Sequence, residues 1–129
     1  MLDHVGFAVA DAERSHAFYE RALAPLGIGP IMSFTPEQTE SGGTAHGFGS
    51  NGKPYFWFGD NERVGEGNHV AFAVATRAEV DAFYAAALAA GGRDNGAPGL
   101  RPHYHQTYYG AFVLDPDGHN IEAVCHKPE

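Results

Sequence analysis

Cysteine is almost missing. Cys125 is the only one in the chain, so no disulfide can form within it, which suits a reducing compartment such as the cytoplasm. Basic residues are also few. Lys plus Arg is 8 against 16 Asp plus Glu, a formal net charge of −8, and no basic run occurs. That balance argues against nucleic acid and against anionic membrane as partners. No apolar run approaches the roughly 20 residues of a membrane span, and the N-terminus has neither the charged segment nor the apolar stretch of a signal peptide. What is plentiful is histidine, with eight in 129 residues. The length is that of one ordinary domain, and 43% hydrophobic residues can supply its core.

One stretch occurs twice. Asp3-His4-Val5-Gly6-Phe7-Ala8-Val9-Ala10 is matched by Asn68-His69-Val70-Ala71-Phe72-Ala73-Val74-Ala75, at an offset of 69 − 4 = 65. The offset persists without a gap: Phe18-Tyr19 falls on Phe83-Tyr84, Ala22-Leu23-Ala24 on Ala87-Leu88-Ala89, and Gly27 on Gly92. Two copies are too few for a solenoid, so the chain reads as an internally duplicated domain. Module 1–62 and module 67–127 make up one domain over 1–129.

Each copy opens with period-two alternation, the mark of a strand with one face on the core. Val5, Phe7 and Val9 take the core face. His4, Gly6 and Ala8 take the other, where the smallest residues leave space beside an imidazole. Asp11 caps a helix to about Ala24, with Phe18, Tyr19, Ala22 and Leu23 as its apolar stripe. Strands are expected over 28–35, 44–50 and 54–60, the last two joined by an Asn51-Gly52 hairpin turn. The second half repeats this plan: strand 68–75, a helix opened by the capping box Thr76-Arg77-Ala78-Glu79, and strands over 107–114 and 119–125 joined by the turn Asp115-Pro116-Asp117-Gly118. Residues 93–102 read as loop with at most a short strand. The fold class is α+β, two βαβββ units paired about a pseudo-twofold axis.

Such pairing turns the faces that carry His4 and His69 toward one cavity. In the last strand Ile121, Ala123 and Cys125 suit the helix side, so Asn120, Glu122 and Val124 face the cavity. Two histidines and a carboxylate with open positions form a facial triad for a divalent metal. A lone strand histidine is more often a packed residue; equivalent positions in a duplicated unit favour the ligand reading.

These motifs resemble the vicinal oxygen chelate superfamily over the whole chain. They are D-H-V-x-F-x-V at Asp3–Val9, N-H-V-x-F-x-V at Asn68–Val74 and D-P-D-G-x-x-I-E at Asp115–Glu122. The superfamily includes glyoxalase I, extradiol dioxygenases, fosfomycin-resistance thiol transferases and bleomycin-resistance proteins. The resemblance implies a U-shaped sheet around a metal, small-molecule substrates bound through adjacent oxygens, and a homodimer in which one site can draw on two subunits. Its metal ligands correspond to His4, His69 and Glu122, holding one Fe, Ni, Zn, Mn or Co ion. Glyoxalase I carries a fourth ligand, and the offset places that position at 122 − 65 = 57, which is Trp57. An indole cannot ligate, so the glyoxalase I reaction in its usual form is not expected. Three ligands suit the dioxygenases and thiol transferases instead.

Trp57 and Tyr55 share a face and can stack on a flat substrate. His46 is a candidate on the same cavity wall. A second rich segment, His103-Tyr104-His105-Gln106-Thr107-Tyr108-Tyr109, follows a Gly/Pro loop like a pocket rim. If extended, it sets His103 and His105 on one side roughly 7 Å apart. His103 is then a candidate for substrate binding, and His105, Tyr109 and Glu122 for proton transfer. His16 and His119 are expected to face solvent. Two functions compete: a metal-dependent enzyme of lyase, isomerase, dioxygenase or thiol-transfer type, and a bleomycin-resistance-like protein that sequesters its ligand without catalysis.

Overall fold

The computed structural model describes residues 1–128. Eight strands and two helices alternate in the order the duplication requires: β1 (Val5–Ala8), α1 (Ala12–Leu23), β2 (Gly29–Phe34), β3 (Ala45–Ser50), β4 (Lys53–Gly59), then β5 (His69–Ala73), α2 (Arg77–Ala89), β6 (Arg93–Leu100), β7 (Tyr109–Leu114) and β8 (Asn120–Cys125). The strands form two four-stranded mixed sheets of identical topology, β1-β4-β3-β2 and β5-β8-β7-β6. In each, the first strand runs parallel to the last and the rest are antiparallel. The fold is thus α+β, built from paired βαβββ modules.

Local chemistry sets the element ends. The Asp11 side chain accepts from the amides of Glu13 and Arg14 and so caps α1. Thr76 and Glu79 form the reciprocal capping box of α2. Asn51 and Gly52 both take positive φ, 53° and 75°, the two-residue turn that matches strand twist. Each helix covers one face of its own sheet. Phe48, Phe56 and Phe58 pack under α1, and Ala111, Val113, Ile121 and Ala123 under α2, all essentially inaccessible. Each phenylalanine buried this way contributes about 2–3 kcal/mol. The opposite face of each sheet stays open, and the candidate site lies there.

The modules are joined at a polar seam. The Tyr19 hydroxyl of α1 donates to Asp115. Arg14 donates to Asp117 at 3.0 Å, and so does the Ala10 amide at 3.2 Å. Phe56 and Phe72 meet edge to face across the seam at 5.4 Å. Burial and the Asp115 charge push the Tyr19 phenol well above its ordinary pKa, in that order of weight.

Four expectations need correction. Residues 93–100 form a full strand, β6, whose glycines sit at register shifts rather than in a loop. Residues 102–107 make turns instead of an extended run: the Tyr104 and His105 amides both reach back to the Arg101 carbonyl, so His103 and His105 do not line one strand face. His119 does not face solvent. It is buried in the seam, where Nε2–H donates to the Ala8 carbonyl at 2.9 Å, Nδ1 accepts from the Asn68 amide at 3.2 Å, and the ring stacks on Phe7. His16 is half-buried against His46 and Phe48 rather than free.

Candidate metal centre

The open face of the second sheet brings His69 and Glu122 together. Register pairs Ala71 with Glu122 and His69 with Asn120, so imidazole and carboxylate lie side by side. Nε2 of His69 is 3.0 Å from Oε1 of Glu122. Nδ1 of His69 is 3.1 Å from the Asn120 carbonyl. A carbonyl and an ionised carboxylate both only accept, so Nδ1–H donates to Asn120 and, with no ion between them, the Nε2–Oε1 contact also needs a proton; Nε2 is the nitrogen at which an ion can replace that proton. Glu122 is 1% exposed, and its second oxygen, Oε2, accepts from the Tyr108 hydroxyl. Desolvation, then the Glu122 bond and charge, raise the Tyr108 phenol above its usual range.

His4 has the same preparation. Its Nδ1 is 2.7 Å from Asp3 Oδ1, and Lys53 reaches both Asp3 oxygens at 2.9 Å. The bond from His4, then Lys53, holds the Asp3 carboxyl below its ordinary pKa. Both histidines thus spend Nδ1–H on an oxygen, which leaves Nε2 as the nitrogen for an ion, the arrangement that orients metal-ligating imidazoles. Within one chain, however, His4 is not gathered with His69 and Glu122. Among the described residues, the group of three that is close enough to hold an ion is Asp115, Asp117 and His119, with ligand atoms within 4.8 Å of one another.

That second group is poorly suited to an ion, because its atoms are already committed. Asp115 accepts from Tyr19 and from the Asp117 and His119 amides. Both His119 nitrogens are engaged, as described above. Only Asp117 Oδ2 is buried without a partner. By contrast, His69 and Glu122 fit a metal. Two donors each about 2.0–2.1 Å from one ion lie about 2.9 Å apart at a right angle and about 3.3 Å at the tetrahedral angle. The observed 3.0 Å falls in that range, and the same spacing is a hydrogen bond when a proton sits between them. Metal and proton therefore compete for this pair.

On the first sheet, Trp57 occupies the place that Glu122 holds on the second. Its indole lies across Gly47, where a Cβ would come within 2.7 Å of the ring, and stacks nearly parallel to Phe34. A groove of about 420 Å³ borders it, with Gly6 and Ala8 on its floor and Glu40, Asp60 and Glu62 among its lining. Tyr55 donates to or accepts from Ser50 at 3.0 Å and lines a smaller crevice with His4.

Other candidates fall elsewhere. His46 is not on the open face. It shares the helix side with Phe48 and Phe58, buried between Ser33 Oγ at 2.7 Å and Glu13 Oε2 at 3.2 Å. Tyr109 also turns to the helix side, donating to Asp81 at 2.7 Å. His103 is exposed and rests on Tyr104; His105 Nδ1 accepts from Thr107. The residue missed was Tyr108. The signal was present: with Ala111 and Val113 on the core, period two sends Tyr109 inward and Tyr108, Gly110 and Phe112 to the face of Glu122.

With this geometry in hand, the likenesses to known proteins are consistent. Residues 1–123 match the Glyoxalase/Bleomycin resistance protein/Dioxygenase superfamily, and the chain belongs to it. It is 30% identical to a glyoxalase/bleomycin resistance protein from Albidiferax ferrireducens T118, over 95% of this chain and 96% of that one, with a TM-score of 0.71. It is 25% identical to an E144Q mutant of glyoxalase I from Zea mays, with a TM-score of 0.72, over 95% of this chain but only 46% of that one. A glyoxylase/bleomycin resistance protein/dioxygenase domain from Frankia sp. EAN1pec shares the fold at 15% identity, with a TM-score of 0.75 and 98% of each chain covered. No curated protein matches the chain.

Proposed function

We propose that the protein is a metal-dependent enzyme of this superfamily. It binds a small substrate through adjacent oxygens and performs lyase, isomerase or dioxygenase-type chemistry. The observation that carries the reading is the placement of His69, whose Nδ1 is held by the Asn120 carbonyl while Nε2 lies 3.0 Å from a buried carboxylate oxygen, the spacing of two ligands on one ion. His69 and Glu122 of one subunit hold the ion, and His4 of a second copy completes the triad, making the protein a homodimer. A divalent metal held there supplies a Lewis acid with positions left for substrate oxygens. The chain's own contributions are positional. Tyr108 fixes the carboxylate, and the Asn120 carbonyl fixes the imidazole. Ala71 and Ala73 beside His69, with Gly6 and Ala8 beside His4, leave room for the substrate. Trp57 and Phe34 offer a flat apolar wall. A reducing cytoplasm suits the single buried thiol of Cys125.

The groove beside Trp57 favours a second reading, sequestration of a ligand without turnover. Carboxylates line this groove, no Lys or Arg does, and an aromatic face with acidic neighbours suits a planar cation. One experiment separates the two. Metal content is measured by elemental mass spectrometry on protein purified without a histidine tag, beside His69→Ala. About one Fe, Ni, Zn, Mn or Co per chain, lost in the variant, is expected. Absence of metal, even after reconstitution with each ion, would sink the enzyme reading and leave sequestration.

A further inference from the structure

The phenol of Tyr108 has no place in the triad, yet it occupies half of the Glu122 carboxylate. Its hydroxyl donates to Oε2 while Oε1 turns to His69. Space for this contact is built in. A Cβ at Gly110 would stand 3.1 Å from Glu122 Oε2 and 3.2 Å from Tyr108 Cε1, so any side chain there would make ring or carboxylate give by a few tenths of an ångström. The ring is also held from outside. The Tyr108 amide donates to the His105 carbonyl at 3.1 Å, the Arg101 amide donates to the Tyr108 carbonyl at 2.7 Å, and Tyr104 and His126 pack edge-on against the phenol.

A carboxylate can offer a metal one oxygen or two. With two it fills two coordination positions; with one it leaves a position for substrate. From the hydrogen bond, the glycine cradle and the anchored turn, we infer that Tyr108 is a positioning residue that keeps Glu122 a one-oxygen ligand and so holds open a coordination position for a chelating substrate. This rests on the metal reading above. Once the phenol is removed, Oε2 is left buried without a donor. An unpaired buried carboxylate oxygen is costly, and the ion is the nearest group that can satisfy it.

The test is Tyr108→Phe, with both proteins loaded with Co(II) and checked for fold by circular dichroism. The d–d spectrum of Co(II) weakens as its coordination number rises. Tyr108→Phe should keep the same metal stoichiometry, show a weaker visible band, and lose much of the spectral shift that acetohydroxamate, a two-oxygen chelator, produces in the parent. Gly110→Ala pushes ring and carboxylate apart from the other side and should move the spectrum in the same direction, which guards against a folding artefact in either variant. Superimposable Co(II) spectra and equal acetohydroxamate response in parent and Tyr108→Phe would overturn the inference while leaving the metal site intact. A parent that takes up no Co(II) would overturn the metal reading, and this inference with it.

Discussion

Mixing His4→Ala chains with His69→Ala chains should restore metal sites that neither variant has alone. Within one chain His69 and Glu122 are adjacent, while His4, bonded to Asp3, is not gathered with them. Both histidines are well exposed, with side chains 60% and 44% accessible, so truncation should cost no more than about 0.5 kcal/mol of stability. In a twofold dimer each site takes His4 from one subunit and the His69–Glu122 pair from the other. A mixed dimer then has one doubly damaged site and one intact site. Random pairing of equal amounts makes about half the dimers mixed, so about a quarter of the parent's metal sites return. If each site formed within one chain, none would return, since each chain lacks one histidine. Native mass spectrometry establishes that mixed dimers have formed, and elemental analysis of that fraction counts the metal. Mixed dimers holding no more metal than the separate variants would refute the shared-site reasoning.

Two further outcomes follow from the packing. Tyr19→Phe strips the hydroxyl from an acceptor that is 1% exposed, which should cost about 2–3 kcal/mol because the bond is charge-assisted and buried. Burial and the Asp115 charge hold the Tyr19 phenol well above its ordinary pKa in the folded chain. Its stabilisation is therefore complete below about pH 10 and is lost as pH rises beyond it, so Tyr19→Phe should show a shallower alkaline decline. Urea unfolding from pH 7 to 11 measures both, and a variant within 0.5 kcal/mol of the parent at pH 7 would contradict the seam as described. Gly47→Ala places a methyl 2.7 Å from the Trp57 ring, so the indole must lift, at an overpacking cost of about 1–3 kcal/mol. Trp57 is the only tryptophan, so its emission should shift to the red; unchanged emission and stability would show that the ring does not lie across Gly47.

The duplication explains why much of this was legible, and why the rest was not. Helix-facing residues obey the offset: Phe18 and Phe83 are both core residues, and so are Phe48 and its counterpart Val113. Period two within each strand then placed Glu122 correctly opposite the core. On the open face the same offset pairs unlike residues. Register sets Gly47 beside Trp57 in one sheet and Phe112 beside Glu122 in the other, since 47 + 65 = 112 and 57 + 65 = 122. The aromatic bulk has changed strands, leaving a platform in one module and a carboxylate in the other. Packing under a helix constrains both copies alike, whereas an open face is free to diverge, and there the two modules took different roles. Two of the residues misread, His119 and Tyr108, lie where the repeat gives no guide, whereas His46 has the core residue Ala111 at its offset. His119 has only Pro54 at its offset, and Tyr108 has only Gly43. Both sit beside connecting turns whose course depends on partners from distant parts of the chain, Ala8 and Asn68 for one and Glu122 for the other. Choosing Tyr109 over Tyr108 was a parity error of one residue, which in a strand exchanges one face for the other. Conversely, a residue whose repeat partner is chemically unrelated, yet which lies on the open face, is where this chain should be mutated first. Trp57 and Glu122 are such a pair, and the Tyr108 hydroxyl reaches that same face.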